Sequence, residues 1–289
     1  MNAKTLLAYY RLTKPGVMYG NVLTAVAGFL LSSAGDVDIR LLFGMTLGMV
    51  FLVSGACALN NYLDRDIDTK MERTKNRPSV TGVISAKNIL IYAILLSLLG
   101  VLFLYIFTNF LALSIGIIGY VTYVWLYGAW TKRTSVHGTA MGSISGAMPI
   151  AAGYAAVSGS LDAGLIIVFA ILYLWQFPEF FSIAIYRRKE YKAAGIPVMP
   201  VAKGVDVTIA RIFIYTALYV VATILLTIFG YTGWTYFIIM LGAGLYWVKI
   251  AYQGFGAEDK DVWAKEMFRF SMVMILLLCL MLSIGPVLP

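Results

Sequence analysis

Apolar stretches of bilayer-spanning length recur along the chain, separated by short polar connections. A membrane-crossing helix needs about 20 apolar residues. Nine segments qualify, roughly 17–34, 41–60, 89–107, 110–129, 138–157, 163–185, 208–229, 232–251 and 268–286. No Pro/Gly/Ser-rich linker divides them, so residues 1–289 read as one domain. The expected fold is an all-α integral membrane protein, nine transmembrane helices in a bundle around a central cavity. The first apolar run is too long for a cleavable signal peptide and lacks a small-residue cleavage site.

Composition agrees. Of 289 residues 61% are hydrophobic and 12% charged, with a mean hydropathy of +0.84. A soluble domain of this size cannot hide that much apolar surface. The cations also fall in alternate connections: of the 22 Lys and Arg residues, only Arg40 lies on the other side. The positive-inside rule makes the charged side cytoplasmic, with the N-terminus inside and the C-terminus outside. The alternation supports the helix count, since one missed span would scramble it. The net charge of +8 then reflects topology and anionic headgroups or substrate, not nucleic acid. Cys57 and Cys279 sit in apolar runs, with no pattern for a disulfide or a metal site.

Polar chemistry concentrates where the second span ends, in Asn60-Asn61-Tyr62-Leu63-Asp64-Arg65-Asp66-Ile67-Asp68. Asn60, Asp64 and Asp68 are four apart, a spacing that stacks three oxygen-bearing side chains along one side of a helix. Clustered carboxylates repel, and a hard divalent cation such as Mg²⁺ is their natural partner, often bridging them to a phosphate. Cations follow directly: Arg65, Lys70, Arg73, Lys75 and Arg77. They suit the same anionic ligand.

A second polar connection follows the sixth span, from Tyr186 through Arg187, Glu190 and Tyr191 to Pro200. The two connections are four helices apart and are expected to face each other over the cavity mouth. That arrangement suits a ligand with a diphosphate head and a hydrocarbon tail. Lys132 and Arg133 fit either phosphate contact or orientation. Tyr120, Tyr123, Tyr127 and Trp130 recur at helical spacing and fit either a π-rich wall or an interfacial belt. His137 is the only histidine, at the polar surface. Glu179 lies inside an apolar run, where a carboxylate is costly and a functional candidate by default.

Asn60-x-x-x-Asp64-x-x-x-Asp68, closing the second of nine helices, resembles the first acidic motif of the UbiA superfamily of intramembrane prenyltransferases. The fuller string 60–78 is similar to that of its protohaem IX farnesyltransferase branch. Thr13-Lys14-Pro15-Gly16, Lys132-Arg133-Thr134-Ser135, the segment 142–147 and Ala193-Ala194-Gly195-Ile196-Pro197-Val198-Met199-Pro200 add to the likeness. Two departures stand out. Pro178-Glu179 replaces the usual Pro-His, so no haem-ligand role is carried to that position. Glu190-Tyr191 replaces the usual Asp-Tyr, keeping the carboxylate.

The resemblance implies transfer of a farnesyl group from farnesyl diphosphate to a vinyl group of haem B. Asn60, Asp64 and Asp68 would hold Mg²⁺ against the diphosphate. Arg73, Lys75, Arg77, Lys132, Arg133 and Arg187 would neutralise the leaving group. Glu190 and Tyr191 fit either a second metal or ordering of the water that captures the product cation. The likeness also implies a multi-pass protein of the cell (inner or plasma) membrane, with its active site on the cytoplasmic side. It further implies transient contact with a terminal oxidase or haem-handling proteins. Two rivals are a superfamily member acting on an aromatic quinone precursor and a polyprenyl-phosphate transporter or flippase. Transporters carry ionisable residues near mid-membrane, whereas the charges here gather at one face.

Overall fold

A computed structural model describes residues 3–289. Among them nine helices are long and apolar enough to cross a membrane. The spans, in order, are Pro15–Ser33, Ile39–Leu63, Ala86–Phe107, Phe110–Thr134, Gly138–Ser158, Ala163–Tyr186, Val205–Ile228, Trp234–Gln253 and Lys260–Ile284. No strand occurs among the described residues. Each expected span has its counterpart, and the differences lie at the ends. The ninth helix starts at Lys260 rather than near 268. Its charged first turns look like loop by hydropathy, yet they are well anchored. The Asp259 carboxylate accepts from the backbone N–H of Asp261 at 2.8 Å and of Val262 at 3.0 Å, a side-chain N-cap. The Trp263 indole N–H donates to the Ile250 carbonyl at 2.8 Å. A short helix before the first span, Ala3–Leu12, has no counterpart in the hydropathy pattern because it is amphipathic and too short to cross.

Hydrophobic burial does not drive helix association in lipid, so backbones must approach closely through small residues. A Cβ on Gly153 of the fifth span would stand 1.8 Å from the Ala25 carbonyl oxygen of the first, and one on Gly100 of the third would stand 2.5 Å from the Leu52 nitrogen of the second. These contacts leave no room for a larger side chain. Leu95, Leu98, Leu102 and Ile106 of the third span are exposed, as expected of a lipid-facing surface.

The connections after the second and sixth spans lie together, as expected. Ile67 and Met71 bury against Ala194 and Ile196, with Tyr191 and Val198 packed at the edge. The Arg188 guanidinium ties the later connection to Asp261 at the start of the ninth helix. The two loops thus pack against each other, and the later one is tied to the ninth helix.

Candidate active site

The second span ends at Leu63, and Asp64 leaves helical geometry at φ −85°, ψ 3° before a short helix, Arg65–Asp68, resumes. The break does not disturb the four-residue stack. The Asp64 N–H donates to the Asn60 carbonyl at 2.9 Å, and the Asp68 N–H to the Asp64 carbonyl at 2.8 Å. Asn60, Asp64 and Asp68 therefore sit about a turn apart, and all three are buried.

Each faces a cation from a different part of the chain. Lys14 donates to Asn60 Oδ1. Lys132 Nζ stands 2.5 Å from Asp64 Oδ2. Arg77 Nη1 stands 2.6 Å from Asp68 Oδ2. Arg133 grips Asp66 through two bonds, at 2.7 and 2.8 Å, and donates to the Leu63 carbonyl at 2.8 Å. Its guanidinium holds the Asp66 carboxyl down at about 2. Burial pulls the Lys14 ammonium down to about 8, with the nearby Arg77 charge adding to the effect.

The fourth span delivers Lys132 and Arg133 through an unusual segment. From Thr122 to Thr131 the helix is π-helical, a widened form found mostly at functional sites. Gly128 within it passes close to the acidic stack, since a Cβ there would stand 3.1 Å from Asn60 Nδ2. The four aromatic residues of this span have different surroundings. Tyr120 turns aside to share a hydrogen bond with Ser97 at 3.0 Å. Trp130 is 60% exposed, the belt reading. Tyr123 and Tyr127 pair at 6.0 Å, with the Tyr127 ring against Gly142.

The second loop closes the other side. Arg187 Nη1 stands 2.9 Å from Glu190 Oε1. Burial raises the Tyr191 hydroxyl above its ordinary value and neighbouring Tyr127 adds to this, while Arg73, Lys132 and Arg187 pull the other way. Those neighbours bring the second loop within reach of the first. Lys75 behaves differently. It pairs with Glu72 at 2.7 Å on the surface, its side chain 46% exposed, and does not join the acidic stack. His137 is exposed, and Glu179 makes no ion pair or hydrogen bond with the described residues. Three site features escaped the sequence reading: Lys14 on Asn60, Gly128 and the π-helical register. Only the Thr13-Lys14-Pro15-Gly16 string signalled the first.

The donor types suit a hard cation, although among the described residues no three His, Cys, Asp or Glu side chains stand close enough together to hold one as they are. Asp64 Oδ1 and Glu190 Oε2 are buried and accept no hydrogen bond. Carboxylate and carboxamide oxygens are the ligands such ions prefer. Lys14, Arg73, Arg77, Lys132, Arg133 and Arg187 surround the carboxylates of Asp64, Asp66, Asp68 and Glu190. Cations outnumber carboxylates, so the centre favours a ligand with several negative charges.

Residues 21–275 match the profile of the UbiA prenyltransferase family. The chain belongs to this family. Among curated UbiA relatives, a protoheme IX farnesyltransferase of Yersinia pseudotuberculosis is 45% identical over 276 residues, covering 96% of this chain and 94% of the relative. One from Protochlamydia amoebophila is 45% identical over 272 residues, covering 94% and 96%. The same UbiA fold appears in solved structures. A structure described as digeranylgeranylglyceryl phosphate synthase superposes with a TM-score of 0.83 at 18% identity, covering 98% of this chain and 99% of its own. A UbiA homolog from Archaeoglobus fulgidus bound to GPP and Mg²⁺ gives 0.72 at 15% identity, covering 96% and 99%.

Proposed function

We propose that this UbiA prenyltransferase transfers the farnesyl group of farnesyl diphosphate to a vinyl group of haem B, adding water, to give haem O and diphosphate. The acceptor and donor come from the relatives at 45% identity across nearly the whole chain. The observation that carries the chemistry is the buried stack of Asn60, Asp64 and Asp68 ringed by Lys and Arg. Asn60, Asp64 and Asp68 would hold Mg²⁺, which would supply positive charge against the diphosphate. Lys132, Arg77, Arg133, Arg73 and Arg187 present cationic donors to the same leaving group. Lys75 contributes only at longer range, because Glu72 holds it at the surface.

The farnesyl C1–O bond breaks and its electron pair leaves with the diphosphate. C1 then bonds to the terminal vinyl carbon, and positive charge moves to the carbon beside the porphyrin ring. Water bonds to that carbon and its proton is released, leaving a hydroxyethyl-farnesyl group. Tyr123 and Tyr127 line the approach with aromatic faces, which stabilise a passing carbocation. Glu190 and Tyr191, on the second loop, serve either a second metal or the water that captures the product cation. The charged end faces the cytoplasm, consistent with the distribution of Lys and Arg.

The test is direct. Membranes holding the protein, incubated with haem B, farnesyl diphosphate and Mg²⁺, yield a pigment heavier by one farnesyl group plus one hydroxyl, with release of inorganic diphosphate. Unchanged haem B, from protein shown to be folded and inserted, overturns the reading. Uptake of a polyprenyl phosphate without diphosphate release points to a carrier instead.

A further inference from the structure

The turn joining the short N-terminal helix to the first span adopts an uncommon backbone conformation. Lys14 lies at φ 48°, ψ 69°, the left-handed region that residues with a Cβ rarely adopt. Pro15 follows, and a residue before proline favours extended backbone. Glycine would relieve the strain, yet a lysine stands here.

The surroundings hold the turn firmly. Leu12 is fully buried with Ala58, Ile84, Ile89 and Ala93. The Asn61 side-chain amide donates to the Leu12 carbonyl at 2.8 Å, and the Thr13 hydroxyl to the Tyr10 carbonyl at 2.7 Å. So held, Lys14 reaches inward and donates to Asn60 Oδ1. It has no carboxylate within ion-pair distance; among its charged neighbours Arg77 and Lys132 repel it and Asp64 attracts it from farther off. An ammonium has three N–H donors, and Asn60 takes one. A half-buried ammonium with two cations among its neighbours and donors to spare suits an anion that completes the group. Strained backbone of this kind persists where surrounding structure enforces it, and it collects at ligand clamps.

We propose that Lys14 is a diphosphate-binding residue, which joins Lys132 and Arg77 on the leaving group and holds the Asn60 carboxamide in place. This rests on the prenyltransferase reading above and adds a residue that reaches the site from the N-terminal segment. Left-handed geometry at position 14 is what aims the side chain inward, so the strain and the contact have one cause.

The test separates charge from fold. The full chain in detergent is titrated calorimetrically, with Mg²⁺ present, with farnesyl thiodiphosphate, an unreactive analogue, and with farnesol, which lacks the phosphates. Lys14→Gly relaxes the turn and removes the ammonium. It is expected to melt at or above the wild-type temperature while its affinity for the thiodiphosphate falls at least about tenfold. Lys14→Gln, which keeps the strained backbone, is expected to lose affinity equally. Farnesol binding stays at the wild-type level in both. Thiodiphosphate binding within about twofold of wild type in either variant overturns the proposal, as does parallel loss of farnesol and thiodiphosphate. Failure of the wild-type protein to bind the analogue overturns the proposed function along with it.

Discussion

Asp64 is the most deeply placed carboxylate of the site, its side chain 1% exposed, and its closest cation is Lys132 at 2.5 Å. Replacing Lys132 with Met keeps the bulk of the stem and removes the charge. The buried carboxylate is then left with only Arg133, 3.8 Å from Oδ1. Breaking a buried pair on one side costs about 3–5 kcal/mol. Partial compensation by Arg133 puts this case at the low end, about 3 kcal/mol. At roughly 2–4 °C per kcal/mol, Lys132→Met should melt about 6–12 °C below wild type in detergent. Adding Asp64→Asn removes the unpaired charge, so the double variant should regain most of the loss. Both remain inactive, because one lacks a diphosphate contact and the other also lacks a metal ligand. A thermal scan followed by intrinsic fluorescence, beside a pigment assay, reads both quantities. Melting of Lys132→Met within about 2 °C of wild type, or a double variant melting no higher than the single, refutes the reasoning.

Asp68→Asn preserves shape but removes the charge facing Arg77, and should lower kcat/KM at least about 100-fold, measured as haem O formed. EDTA should abolish turnover and added Mg²⁺ restore it; full activity in excess chelator would remove the metal from the account. Gly128→Ala sets a Cβ 3.1 Å from Asn60 Nδ2 and shifts that side chain by a few tenths of an ångström. Since a 1 Å misplacement can cost about 100-fold, KM for farnesyl diphosphate should rise roughly three- to tenfold with little change in melting. Ile67→Ala opens the contact between the two loops at a cost of about 2–3 kcal/mol, and limited proteolysis should then cut residues 186–200 faster than in wild type.

How far the chain could be read depended on whether each feature is local. Spans are local, because apolar length alone sets them, and each of the nine appears near its expected place. The acidic stack is local too: four-residue spacing survives the break at Asp64 because the backbone bonds run on from Asn60 to Asp68. Gly128 and the π-helical register were hidden because they depend on how closely the fourth span approaches the second, which no periodicity within one segment records. The cations show the limit most clearly. Membrane orientation and diphosphate binding ask for the same residue types at the same end of the bundle, so composition cannot tell a topology signal from a ligand contact. Lys14, an orientation charge by position, lies on Asn60 because of a left-handed turn. Lys75, a phosphate candidate by position, is drawn off by Glu72 three residues earlier. That second assignment was open to correction from sequence alone, since an opposite charge at i−3 on a tight turn competes directly with any more distant partner. The first was not, because the dihedral that aims the ammonium is set by Asn61 and the packing of Leu12, contacts made across the fold.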